Sequence, residues 1–127
     1  MLNALYFATK GGNAWLNGKK VKVSKVSDPK HAYGAFGWGR DLKFGATMFP
    51  KLIPTLGKMR VVGSATICLS RLAQGIYDFS IGTEMLIWDY AAGQIILEEA
   101  GGKLILTKKI QIAGNKKLAD KLFRKLK

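Results

Sequence analysis

Trp88-Asp89-Tyr90-Ala91-Ala92-Gly93 is the stretch that decides the fold of this chain, together with Val62-Gly63-Ser64-Ala65 before it and Glu98-Glu99-Ala100-Gly101-Gly102 after it. Ser64 and Asp89 each precede an apolar segment, where we predict that they cap helices. A helix N-terminus offers unpaired backbone N–H groups and the positive end of its dipole to an anion. The Asp89 carboxylate offers oxygen to a hard cation. These segments therefore predict a site for a cation and a phosphate.

Helical and strand patterns alternate along the rest of the chain. The first of the two helices runs from Ala65 and stops at Gly75, and the second covers Ala91–Leu97 and ends at Gly101-Gly102. A weak helix is predicted over Leu42–Leu56 despite two prolines, and Asn115 caps a last helix with a stripe of Leu118, Leu122 and Leu126. Strands are predicted at Ala14–Leu16, Lys19–Ser24, His31–Trp38, Lys58–Val62, Ile76–Ile81, Lys103–Thr107 and Ile110–Ala113, with a hairpin turn at Asn17-Gly18. The alternation predicts an α/β fold, a layered mixed sheet with packed helices.

Length and composition suit one globular domain over residues 1–127. The chain is 48% hydrophobic, which excludes intrinsic disorder. Its single cysteine, Cys68, has no internal disulfide partner and is expected to be a buried small apolar residue. No apolar run is long enough for a signal peptide or a membrane span. We therefore expect a cytoplasmic protein with no membrane partner.

The charge is strongly basic. The chain carries 21 lysines and arginines against 8 aspartates and glutamates, a net charge of +13. Such a surface attracts polyanions and phosphorylated ligands. Lysine greatly outnumbers arginine, however, and a lysine excess fits a solubilising surface at least as well as a nucleic-acid site.

The signature segments carry a resemblance to a known family. Trp88–Gly93, followed by Glu99-Ala100-Gly101-Gly102, resembles the second signature of the inositol monophosphatase family, Trp-Asp-x-Ala-Ala-Gly. Val62–Ala65 is similar to that family's Gly-(Ser/Thr)-Ala helix start, and Tyr6–Ser24 resembles the hairpin that follows its first catalytic motif. The resemblance implies layers of helices and sheets and a magnesium-dependent phosphomonoesterase acting on inositol or sugar phosphates.

The resemblance implies roles only for residues that match. Asp89 would be a metal ligand close to the substrate hydroxyl, and Gly63, Ser64 and Ala65 would contact the sugar hydroxyls. Glu84 is a weaker candidate for an acidic sugar-binding residue. The family's Asp-Pro-(Ile/Leu)-Asp-Gly-(Thr/Ser) motif and its Gly-Glu-Glu segment have no counterpart, and this chain resembles the C-terminal half of the enzyme. Because one aspartate holds Mg²⁺ poorly, we expect weak or absent magnesium binding and no activity by this chain alone.

Three functions remain open at this point. In the first, a complementary chain or further copies of this chain complete the phosphatase site and cover Leu2–Phe7 and Phe44–Leu56. In the second, the chain is a non-catalytic remnant that binds phosphorylated or polyanionic ligands through its lysines. In the third it is a nucleic-acid-binding module unrelated in activity. As a separate alternative, the basic last helix is also compatible with docking on nucleic acid or on an anionic membrane.

Simpler explanations stand beside these functional roles. Ser64 and Asp89 are also ordinary helix caps, and the leucine stripe of the last helix is explained by packing on the sheet. His31 fits the start of a strand. Glu98 and Glu99 are expected to be solvated, because adjacent helix residues point about 100° apart.

Overall fold

A three-stranded sheet and a five-stranded sheet organise the computed structural model, which describes residues 3–127. In chain order the elements are β1 (Tyr6–Ala8), β2 (Ala14–Leu16), β3 (Lys19–Val21), β4 (Tyr33–Trp38), α1 (Leu42–Leu52), β5 (Lys58–Val61), α2 (Ala65–Ala73), β6 (Phe79–Thr83), α3 (Ile87–Glu99), β7 (Gly102–Leu106), β8 (Ile110–Asn115) and α4 (Lys116–Leu126). Met1 and Leu2, part of the apolar N-terminal segment expected to meet a partner, lie outside the described residues.

The larger sheet is mixed, as predicted. Its strand order is β5-β4-β6-β8-β7. β4 pairs in parallel with both β5 and β6, whereas β8 pairs antiparallel with β6 and β7. The smaller sheet is an antiparallel β1-β2-β3 meander. Asn17 and Gly18 join β2 to β3 with φ angles of 49° and 77°, the left-handed backbone that this tight hairpin turn requires.

Helices cover both faces of the five-stranded sheet because its side chains alternate between them. Ala35 packs with Leu69, Leu72 and Leu97 of α2 and α3, whereas the next residue, Phe36, packs with the opposite cluster formed by α1 and α4. The β1-β2-β3 sheet lies on the far side of α2 and α3, where Ala14 and Val21 meet Ala73, Ile96 and Ala100. The α2–α3 pair is thus sandwiched between two sheets.

Several predicted boundaries were wrong for local reasons. The strand predicted over Ile76–Ile81 begins at Phe79, because Gly75 adopts a φ of 79° and the backbone turns through the following residues. The strand predicted over Lys19–Ser24 ends at Val21. His31 belongs to a short 3₁₀ turn, Pro29–His31, which Asp28 caps through the Lys30 N–H. The weak proline-bearing helix forms but ends at Leu52.

The helices are short. The longest, α3, has 13 residues. Within residues 3–127, none has both the length and the apolar composition needed to cross a bilayer.

Candidate functional site

A cavity of about 470 Å³ lies where the parallel strands β4 and β5 end and helices α2 and α3 begin. The carboxyl ends of parallel strands are a common position for ligand sites in α/β folds. Gly63, Ser64, Ala65 and Asp89 all line this cavity. The structure therefore brings four of the five sequence-predicted site residues to one place.

The start of α2 forms one wall. Ser64 is its N-cap, and its hydroxyl oxygen accepts a hydrogen bond from the Ile67 N–H at 3.4 Å. Gly63, immediately before the cap, has a φ of 80°, a left-handed conformation that strains any residue with a Cβ. The first turn of α2 leaves backbone N–H groups for an anion at this wall.

Asp89 stands one turn later in its helix than predicted. We expected an N-cap, but α3 begins at Ile87 and Leu86 occupies the cap position. Asp89 is the third helical residue, and its Oδ2 accepts a hydrogen bond from the Leu86 N–H at 3.0 Å. A carboxylate at this position reaches back to the cap N–H as in a capping box. Its Oδ1 accepts no hydrogen bond from the described residues, and the side chain is exposed.

Two contacts hold α2 and α3 together near their N-terminal ends. The Thr66 hydroxyl donates to the backbone carbonyl of Asp89 at 2.7 Å. Farther along, Gly93 of α3 packs directly against Leu69 of α2, where an added Cβ would lie 2.8 Å from the Leu69 Cβ. Close helix packing therefore requires the signature glycine and holds the two walls of the cavity together.

Glu84 does not line the cavity. It follows β6 with a φ of 51°, and its Oε2 accepts a hydrogen bond from the Asp41 N–H at 3.0 Å. The carboxylate is therefore directed to the start of α1.

Sequence reasoning missed several residues that line the cavity. Trp38 ends β4, Met85 follows β6, and Trp88 stands at the start of α3 with 73% of its surface exposed. Trp88 was visible in the signature, but nothing in the sequence assigned its indole to a cavity wall. Trp38 and Met85 come from distant segments that meet only when β4 and β6 pair.

Cys68 also reaches the cavity but is poorly suited to act as a nucleophile. As predicted it is buried within α2, and burial raises the pKa of its thiol, although a hydrogen bond with Ser80 acts in the opposite direction. The thiolate, which is the reactive form, is correspondingly disfavoured.

The described residues do not by themselves fit a magnesium ion. Within residues 3–127, no three histidine, cysteine, aspartate or glutamate side chains converge on a common point. Asp89 is the one carboxylate that lines the cavity. Mg²⁺ requires near-octahedral oxygen coordination, which one aspartate does not supply.

An apolar groove of about 480 Å³ adjoins the cavity and shares Phe36, Trp38 and Val61 with it. Leu42 and Phe49 of α1 form its other side. Trp38, Leu42 and Val61 are each about half exposed or more. Soluble monomers seldom expose adjoining apolar side chains of this size, which instead mark interaction surfaces.

Comparisons with known proteins agree with this architecture. The sequence profile of the inositol monophosphatase family matches residues 1–121. A fructose-1,6-bisphosphatase/inositol-1-monophosphatase of Aquifex aeolicus is 38% identical over 125 residues, which cover 91% of this chain and 47% of that protein. An inositol monophosphatase structure from Anabaena superposes with a TM-score of 0.89 at 29% identity, covering 97% of this chain and 54% of that one. The SuhB structure of Bartonella henselae gives a TM-score of 0.88 at 27% identity, over 98% of this chain and 52% of that one. This chain thus spans about half the length of its relatives.

Proposed function

Since the chain belongs to the inositol monophosphatase family, we propose that it supplies the substrate-binding half of a magnesium-dependent phosphomonoesterase that acts on inositol or sugar phosphates. One observation carries the proposal: Asp89 and Gly63–Ala65 line the same cavity, at the N-terminal ends of α3 and α2. The first turns of α2 and α3 provide N–H groups and positive dipole ends for the phosphate. The cytoplasm is the compartment we propose, since the one cysteine is an unpaired, buried thiol.

The chain's own residues bind and orient the ester in this proposal. Gly63, Ser64 and Ala65 contact the hydroxyl groups of the sugar or inositol ring. Asp89 keeps its Oδ2 on the Leu86 N–H, so its Oδ1 has a fixed direction and is free to act as one ligand of Mg²⁺. The ion, once bound, supplies charge stabilisation and an activated water. The remaining ligands have to come from elsewhere, so the isolated chain is inactive.

A complementary chain is a better source of those ligands than a second copy. Every copy of this chain brings a net charge of +13, and like charges of this size repel. A complementary chain that carries carboxylates would be attracted by the same charge. The apolar groove beside the cavity gives it a surface to cover.

Complementation tests this proposal. The chain is co-purified with the part of the Aquifex relative that lies outside the match, and phosphate release from inositol 1-phosphate is measured with and without Mg²⁺. We expect turnover only when both parts and Mg²⁺ are present. Asp89→Asn should abolish it, whereas Glu98→Gln, which removes an exposed carboxylate of α3 outside the cavity, should leave it intact.

Two results would contradict the proposal. Turnover by the isolated chain that survives Asp89→Asn would place the chemistry elsewhere. A complex that forms but neither hydrolyses nor binds inositol 1-phosphate would leave a non-catalytic remnant, the second function that the sequence kept open.

A further inference from the structure

The last helix, α4, separates its residues into a basic face and an apolar face. Its exposed cations spread over about half of the helix circumference. They are Lys116, Lys117, Lys121, Arg124 and Lys125. On the opposite face, Leu118, Ala119 and Leu122 are fully buried against the five-stranded sheet. The packing predicted for the leucine stripe is confirmed, and it explains the apolar face but not the basic one.

Helix stability does not explain the first two lysines. Arg124 and Lys125 stand in the last turn, where cations are favourable to the helix dipole. Lys116 and Lys117 occupy the first turn, which contains no acidic residue and where cations are unfavourable. A local rule broken without a structural gain is a common mark of function.

Few carboxylates pair with the cations of the basic face. Within residues 3–127, Lys103 is the only lysine or arginine paired with a carboxylate, that of Asp120 at 2.6 Å. That pair also removes the one acidic charge on α4. The remaining acidic side chains accept hydrogen bonds from backbone N–H groups or from His31, Ser24 and Gln94; they are Asp28, Asp41, Asp78, Glu84, Asp89, Glu98 and Glu99.

The polar contacts of the α4 cations themselves are few. The Lys121 ammonium donates to the backbone carbonyl of Ser27 at 2.9 Å, and Arg124 Nε donates to the carbonyl of Asp120 at 3.3 Å. Both acceptors are neutral and do not cancel the charges. The Lys30 N–H and, to a smaller extent, the Lys121 ammonium lower the pKa of the Asp28 carboxyl, so the charge of Lys121 is partly compensated. The other four cations have no salt bridge within residues 3–127.

The buried apolar face of α4 favours nucleic acid over an anionic membrane as the partner. A helix that lies on an anionic membrane inserts its apolar face among the lipids. In α4 that face is packed in the core and is unavailable. Only the cations remain to bind, which is how proteins contact the phosphates of nucleic acids.

We propose that the basic face of α4 binds the phosphate backbone of a nucleic acid without reading its sequence. Lys117, Lys121 and Lys125 follow one another at four-residue spacing, so they form a row with steps of about 6 Å. A duplex carries one phosphate charge per about 1.7 Å of its axis, so a row of three cations about 12 Å long lies beside several phosphates. The surface is separate from the cavity and does not depend on the proposed phosphatase function.

Two variants with equal charge test this assignment. In the first, Lys116, Lys117, Lys121 and Lys125 are all changed to Gln; in the second, the exposed hairpin lysines Lys10, Lys19, Lys20 and Lys22 are changed to Gln. Binding of a fluorescent duplex and of a single strand, each roughly 20 nucleotides long, is followed by anisotropy between about 50 and 200 mM salt. Far-UV circular dichroism establishes that both variants are folded.

We expect the α4 variant to bind the duplex at least about a hundredfold more weakly. The slope of the logarithm of the binding constant against the logarithm of the salt concentration should become shallower by up to about 3.6. The hairpin variant should stay within about threefold of the unchanged chain. Equal losses in the two variants would show that net charge alone attracts the nucleic acid and would overturn the proposal. So would tighter α4-dependent binding to phosphatidylserine vesicles than to nucleic acid, or no binding to either at the lowest salt.

Discussion

Gly93→Ala tests whether close packing of α2 and α3 holds the candidate site together. An added Cβ would lie 2.8 Å from Cβ and 2.9 Å from Cδ1 of Leu69, a side chain that is only 3% exposed. Over-packing of this kind costs about 1–3 kcal/mol, and we expect the upper half of that range because the contact involves the stem of Leu69. Alanine in place of glycine in a helix returns about 1 kcal/mol. The net expectation is a loss of about 1–2 kcal/mol in the free energy of unfolding.

Urea unfolding followed by circular dichroism measures this loss, with Ala92→Gly as the matched control. Ala92 is exposed on the same helix, so only helix propensity acts there and we expect a loss of about 1 kcal/mol. Helix propensity alone therefore predicts that Gly93→Ala raises the free energy of unfolding and Ala92→Gly lowers it, whereas close packing predicts that both substitutions lower it. A gain of about 1 kcal/mol in the free energy of unfolding for Gly93→Ala would refute the reasoning, because α2 and α3 would then accommodate the added Cβ without cost.

Three further predictions concern single side chains. Glu99→Gln should loosen the turn between β1 and β2, because the Glu99 carboxylate accepts hydrogen bonds from the Gly11 N–H at 2.7 Å and the Asn13 N–H at 3.0 Å. We expect the free energy of unfolding in urea to fall by about 1–2 kcal/mol and both amides to exchange faster. Unchanged protection of the two amides would contradict this. Asp78→Ala removes the acceptor of the Tyr33 N–H at 2.8 Å and of the Ser24 hydroxyl at 2.5 Å. Thermal unfolding should show a loss of about 2–4 kcal/mol in stability, much more than for Ser24→Ala. Equal effects of the two substitutions would argue against the hydrogen bond to the Tyr33 backbone as the main contribution. Burial raises the pKa of the Cys68 thiol, so iodoacetamide at about pH 8.5 should alkylate the folded chain at least tenfold more slowly than the urea-unfolded chain, and equal rates would count against burial. The same shift means that stability falls as pH rises past the pKa of the unfolded thiol, because the unfolded chain ionises first.

Local chemistry explains which elements were predictable from sequence. The hairpin turn at Asn17-Gly18 follows from residues that accept positive φ, and α2 follows from the Ser64 cap and helical apolar spacing. The start of α3 was misplaced because Leu86 has no capping side chain, while Asp89 has the chemistry of a cap but acts from the third helical position. A sequence pattern shows the residue type and not which backbone N–H it reaches.

Long-range contacts explain what could not be predicted. Glu99 was expected to be solvated, but it binds a turn that lies 86 to 88 residues away along the chain. The cavity walls at Trp38 and Met85 likewise depend on strand pairing across the sheet. The helix starts at Ser64 and Asp89 predicted a shared site from local chemistry, and the family signature added the expected roles of Gly63 and Ala65.

The placement of α2 and α3 between two sheets has a consequence for how a complementary chain would associate. Both helices pack between the β1-β2-β3 meander and the five-stranded sheet. The Thr66 hydroxyl joins their N-terminal ends through its hydrogen bond to the Asp89 carbonyl. A partner therefore meets a surface that is already ordered, and binding need not immobilise this half first. Folding of this half of the site should therefore not limit the association rate, which charge attraction and orientation would govern instead.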